Sequence, residues 1–172
     1  MKRILIAGIG NVLLGDDGIG PLIVQTIAAR CECGSDIEVA DLGTPGLELA
    51  DYLASLRAVI LVDSIVGEQP GEIRLFRKQN ILACQVPIRT GPHAPSLIET
   101  LVNLDLIGAA PEELLLVGVA GQTYELGMPV RDCVRRSVES AIAAICEELA
   151  RLHVNVKLKK SRCSPHIWWE AR

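Results

Sequence analysis

The 172-residue chain is nearly half apolar. That is enough to bury the core of one domain, yet no apolar run reaches the ~20 residues a membrane span needs. Residues 1–155 carry 12 Lys and Arg against 20 Asp and Glu, a net −8, whereas the last 17 residues hold five basic side chains and one acid. An acidic body argues against a nucleic-acid binder, which needs a basic stripe. With only Tyr52, Phe76 and Tyr124 as body aromatics, it also offers little for base stacking.

The opening run RILIA is too short for a secretory signal and meets glycines at once, so it reads as a first buried strand over Ile4 to Ala7. The loop GIGNVLLGDDGIG follows, then a helix over Pro21 to Arg30. IEVADL (37–42) is a second strand, followed by a GTPG turn and a helix over Leu47 to Ser55. AVILVD (58–63) is a third strand, apolar until its last residue. Residues 72–76 follow Pro-Gly and read as an edge strand or hairpin arm. A helix over Pro95 to Leu106 leads to the strand LLLVGV (114–119). Val134, Val138, Ile142, Ile145, Leu149 and Leu152 then recur at helical spacing and predict a helix over Arg131 to Leu152.

Alternating helices and strands with continuously apolar strands predict a three-layer α/β sandwich. Its core is a mostly parallel, twisted sheet of about five strands with helices on both faces. Residues 1–155 form a single domain in this reading, and 156–172 a basic tail, poorly ordered or partner-binding. A soluble, cytoplasmic protein is expected. Cys31, Cys33, Cys84, Cys133, Cys146 and Cys163 form no CxxC pair and are read as reduced thiols.

In an open parallel sheet ligands bind beyond the carboxyl ends of the strands. The residues there are Gly8 to Asn11 with Asp16 and Asp17, then Asp41, Asp63, and Gly118 to Gln122. A dinucleotide fingerprint fits the first loop poorly. Leu13 stands where the third glycine belongs, and two aspartates lie where a pyrophosphate would sit. A nucleotide-binding α/β module, with Asp41 as the ribose acid, remains the alternative.

The carboxylates themselves point to a cation. One of Asp16 and Asp17 can cap the following helix, but two are more than a cap requires. Asp63 ends an apolar strand, where a carboxylate must be paired, solvated or metal-bound. His93 lies between Pro92 and Pro95, a pinned loop that aims the ring; His153 and His166 lie at or beyond the last helix. Asp17, Asp63 and His93 together suit a divalent metal such as nickel, zinc or iron with positions open for substrate. The body of the sequence holds no GxSxG, no HExxH and no cysteine paired with a nearby histidine; the one close spacing, Cys163 and His166, falls in the tail. A hydrolase built from these residues would work through a metal.

GIGNVLLGDDGIG, DLGTPGLEL, VILVDS, GPH and PEELLLVGV, in that order, resemble the hydrogenase maturation protease family across about residues 3–150. The resemblance implies an endopeptidase that trims the C-terminal extension of a nickel–iron hydrogenase large-subunit precursor after nickel insertion. Its metal-binding residues fall on Asp17, Asp63 and His93, with Asp16 left as the structural neighbour. Asp41, Gly43, Thr44 and Gly46 fall on the loop that positions substrate, and Asp41 orients the substrate or assists proton transfer. Nickel would arrive with the precursor, any ion on the isolated protein standing in for it. Leu42 replaces a glycine common in the family, and VAGQTYELGMP replaces its usual segment after the last strand; these departures bear on which hydrogenase is recognised. A non-catalytic assembly factor of the same fold is a further alternative.

Overall fold

A computed structural model describes residues 3–87, 97–159, 164–165 and 167–169. Five strands form the main sheet: β1 (Ile4–Ile9), β3 (Ile37–Gly43), β4 (Ala58–Val66), β5 (Ile73–Arg77) and β6 (Glu113–Gly121). Their order is β3-β1-β4-β6-β5. The first four run parallel, and β5 pairs antiparallel with β6 at the edge.

The continuous apolar runs are explained by burial on both faces. Ile4 and Ile6, Ile60 and Val62, and Leu115 and Val117 enter one core cluster, together with α1 (Ile19–Arg30) and α6 (Val138–Arg151). The alternate residues Leu5 and Ala7, Val59 and Leu61, and Leu114 and Leu116 enter the other, beneath α2 (Leu49–Leu53), α3 (Lys78–Leu82) and α4 (Leu97–Leu106). Successive strand side chains point to opposite faces, so a strand between two helical layers has no polar side to show.

Several elements differ from the sequence reading. β4 runs on to Val66 because pairing with β6 continues to Gly121, so Asp63 lies inside the strand rather than at its end. The final helix is broken: α5 (Asp132–Arg135) ends before Arg136 and Ser137, and α6 then starts at Val138. The Ser137 hydroxyl donates to the Val134 carbonyl (2.7 Å), a local bond that competes with the helical ladder. The helix α3 follows β5 directly, where no helix is expected from periodicity. Beyond α6, β7 (Lys157–Leu158) pairs antiparallel with β2 (Cys31–Glu32), and Ile167 and Trp169 pack against the α1–α6 cluster. Among the described residues no helix is long and apolar enough to cross a membrane.

Candidate functional site

The loop between β1 and α1 contains a short 3-10 turn over Gly15–Gly18 that delivers both aspartates. Its glycines bring backbone against backbone. A Cβ at Gly8 would collide with the Gly20 carbonyl, and one at Gly20 with the carbonyls of Ile9 and Val62. This seats α1 tightly on the sheet. Gly10 has φ of 140° and lies against the Asp17 carbonyl, so no side chain fits there.

The two aspartates differ sharply. Asp16 is fully buried and accepts five hydrogen bonds: from the backbone N–H groups of Gln122, Thr123 and Arg131, and from Nε and Nη2 of Arg131. Burial pushes its pKa up, but the Arg131 guanidinium and the three N–H groups outweigh this and hold it below the usual carboxylate range. Asp16 thus ties the loop after β6 to the loop after β1, the structural part expected of it. Neither aspartate caps α1, which has no side-chain cap.

Asp17 is half-buried and faces the other way. Its Oδ2 accepts from the Asn11 N–H (2.8 Å) and its Oδ1 from the Ser64 hydroxyl (2.8 Å). Ser64 follows Asp63 on β4, and its backbone N–H donates to Asp63 Oδ1 (2.7 Å). One serine therefore grips both carboxylates. Desolvation, then the negative charge of Asp17, push Asp63 up to about 8, against the pull of the Ser64 N–H. Among the described residues no lysine or arginine pairs with either acid. Two carboxylates held close, with no counterion among the described residues, form a place where positive charge is favoured.

Asp41 is exposed at the end of β3, and its Oδ1 accepts from the Gly43 N–H (3.0 Å). The Gly43 carbonyl accepts from the Gly10 N–H (2.8 Å), which joins the turn of Gly43, Thr44 and Gly46 to the aspartate loop. Gly43 and Gly46 both have positive φ, and Thr44 is exposed. The structure thus brings Asp17 and Asp63 together and places the Asp41 turn beside the loop that carries Asp17. His93 lies outside the described residues. Among the described residues no three His, Cys, Asp or Glu side chains form a metal-holding group.

Sequence reasoning missed Ser64 and Arg131. The signal for Ser64 was present: it continues the alternation Ile60, Val62 toward the α1 face, where Asp17 enters. Nothing local marks Arg131, whose pairing with Asp16 spans 115 residues.

A family model for HycI, a hydrogenase maturation protease, matches residues 21–148. The hydrogenase 2 maturation protease of Escherichia coli K12 is 32% identical over 149 residues, covering 86% of this chain and 90% of that one. The hydrogenase expression/formation protein HupD of Bradyrhizobium diazoefficiens is 30% identical over 162 residues, covering 93% and 84%. The structure of the hydrogenase maturating endopeptidase HybD from E. coli superposes with a TM-score of 0.83 at 30% identity, covering 91% of this chain and 98% of that one. A match over most of the chain, in sequence and in fold, places it: the chain belongs to the hydrogenase maturation protease family, whose members are endopeptidases.

Proposed function

We propose that this protein removes the C-terminal extension of a nickel–iron hydrogenase large-subunit precursor once nickel is in place. In this reading Asp17, Asp63 and His93 meet the nickel that the precursor carries. The observation that carries it is the carboxylate pair: Asp17 and Asp63 are linked through Ser64, while no basic side chain of the described residues pairs with them. Such a pair accepts a divalent cation and discriminates against a precursor that lacks one.

The nickel is part of the substrate. It supplies a Lewis acid close to the bond to be cut, able to polarise the scissile carbonyl or a water. Asp17 is held for this from both oxygens. Asp63 keeps a proton near neutral pH while the site lacks positive charge and gives it up when a cation enters, because the cation's charge offsets the desolvation and the repulsion from Asp17 that raise its pKa. Asp41 and the turn of Gly43, Thr44 and Gly46 position the substrate chain, since that turn is bonded to Gly10 beside the Asp17 loop.

The test is to incubate the purified protein with nickel-loaded and nickel-free precursor and to follow precursor mass. Loaded precursor is expected to shorten and nickel-free precursor to stay whole. Equal cleavage of both sinks the nickel requirement. A loaded precursor that is bound but never shortened makes the chain an assembly factor instead.

A further inference from the structure

We infer that Ser64 is a positioning residue that sets the geometry of the carboxylate pair. This inference rests on the reading of Asp17 and Asp63 as the groups that meet the substrate's nickel.

Ser64 is 3% exposed, and two of its groups are committed to two different acids. Its backbone N–H fixes Asp63 Oδ1 at 2.7 Å, a bond any residue at this position can make. Its hydroxyl fixes Asp17 Oδ1 at 2.8 Å, a bond that needs a side-chain donor. The only other hydrogen bond from the described residues to the Asp17 carboxylate comes from the Asn11 N–H to Oδ2. Asp17 is therefore gripped at both oxygens, once from its own loop and once from β4. The β4 grip alone couples its position to that of Asp63. Without the hydroxyl, Asp17 keeps one bond and is free to swing about it, and the spacing of the two carboxylates is no longer set. A donor that orients a carboxylate toward a metal works as an outer-shell partner, and loss of such a partner typically costs about 10–100-fold in metal affinity or activity.

The experiment compares wild type, Ser64→Ala, Ser64→Thr and Asp17→Ala in three measurements. The first is kcat and KM on nickel-loaded precursor. The second is the affinity of the free protein for Ni2+ alone, read by competition with a chromophoric chelator. The third is thermal unfolding, which establishes that each variant is folded. Ser64→Ala is expected to remain folded, to lose about 10-fold or more in kcat with KM little changed, and to bind Ni2+ about 10-fold more weakly. Ser64→Thr keeps the donor and is expected to recover most of both losses. If folded Ser64→Ala retains wild-type kcat and Ni2+ affinity, the inference is overturned. A loss confined to KM overturns it too, as does a folded Ser64→Thr no better than Ser64→Ala. Asp17→Ala separates this from the parent reading: normal cleavage by Asp17→Ala refutes the nickel-meeting pair itself, whereas an inactive Asp17→Ala beside a normal Ser64→Ala refutes only the role of the serine.

Discussion

Glu148 and Asp63 are both carboxylates withdrawn from water, at opposite ends of one sheet. At the amino end of the parallel strands, Glu148 on α6 is 4% exposed and accepts from Arg77 (2.6 Å) and Arg151 (2.9 Å). Arg151 reaches on to Glu113 at the start of β6 (2.9 Å). Burial pushes Glu148 up, but the two guanidinium groups bring it below its ordinary value. At the carboxyl end, desolvation and Asp17 push Asp63 up to about 8, and no guanidinium of the described residues relieves it. A buried acid that serves the fold comes with its own cation. The acid pair that lacks one among the described residues is where a cation from outside can be favoured, and Asp16, adjacent to Asp17 and clamped by Arg131, shows both regimes one residue apart.

The largest effect that could break this contrast is on activity. Asp17→Ala and Asp63→Ala are each expected to lower kcat on nickel-loaded precursor by about 10²–10³-fold or more, the scale on which electrostatic groups at a reacting centre act. Neither variant removes an ion pair with a described residue, so both should unfold close to the wild-type temperature, relief of the repulsion between the acids offsetting the lost bonds from Asn11 and Ser64. A large loss of stability in either would put them with Glu148 rather than apart from it.

Asp16→Ala sharpens the contrast from the other side. It strands the Arg131 guanidinium and three backbone N–H groups. Denaturant unfolding should show a loss of about 3–5 kcal/mol, the cost of breaking a buried pair by removing one partner. Asp16→Asn should lose less, since the amide oxygen still accepts from some of these donors. If Asp16→Ala proves as stable as wild type but inactive, the two aspartates have been assigned the wrong way round.

The amino-end cluster predicts a smaller change with a defined pH dependence. The folded pKa of Glu148 lies below its ordinary value, so it contributes stability above the ordinary carboxylate range, lost as pH falls through the folded value. Glu148→Gln should therefore cost about 1–3 kcal/mol at pH 7 and progressively less on acidification, measured by urea unfolding at several pH values. A cost that did not change with pH would mean that packing, rather than charge, holds this corner.

How much of this was legible in the sequence follows from the range of the interactions. The strands were readable because burial on both faces leaves uninterrupted apolar runs such as AVILV. Asp63 stood out because it ends such a run. The break before α6 was hidden, because Val134 and Val138 keep helical spacing across it while Ser137 bonds the Val134 carbonyl. Arg131 was out of reach because its partner is fixed by the tertiary fold, 115 residues away. Ser64 was overlooked for a simpler reason. The alternation Ile60, Val62, Ser64 gives its face, but that signal has meaning only once Asp17 is known to approach the same face.

The last contrast concerns Asp63 alone, and its sign is opposite to that of Glu148. With a folded pKa of about 8 against an ordinary 3.8, the native protein holds a proton that the unfolded chain has released between about pH 4 and pH 8. Stability rises with pH only where the unfolded state binds more protons; here the native state binds more, so stability falls as pH rises through this window. Asp63→Asn keeps an acceptor for the Ser64 N–H and removes the titration. The two proteins should be nearly equal in stability near pH 4, with the variant ahead by about 1–2 kcal/mol near pH 8 once solvent screening of a half-buried group is allowed for. Adding Ni2+ at pH 8 should close part of that gap by stabilising wild type, because a cation that binds only the native state raises its stability by mass action. It should do far less for the variant. A variant that gains nothing at pH 8, or that Ni2+ stabilises as much as wild type, would show that Asp63 is relieved by some group of the protein itself, and the two ends of the sheet would then be alike.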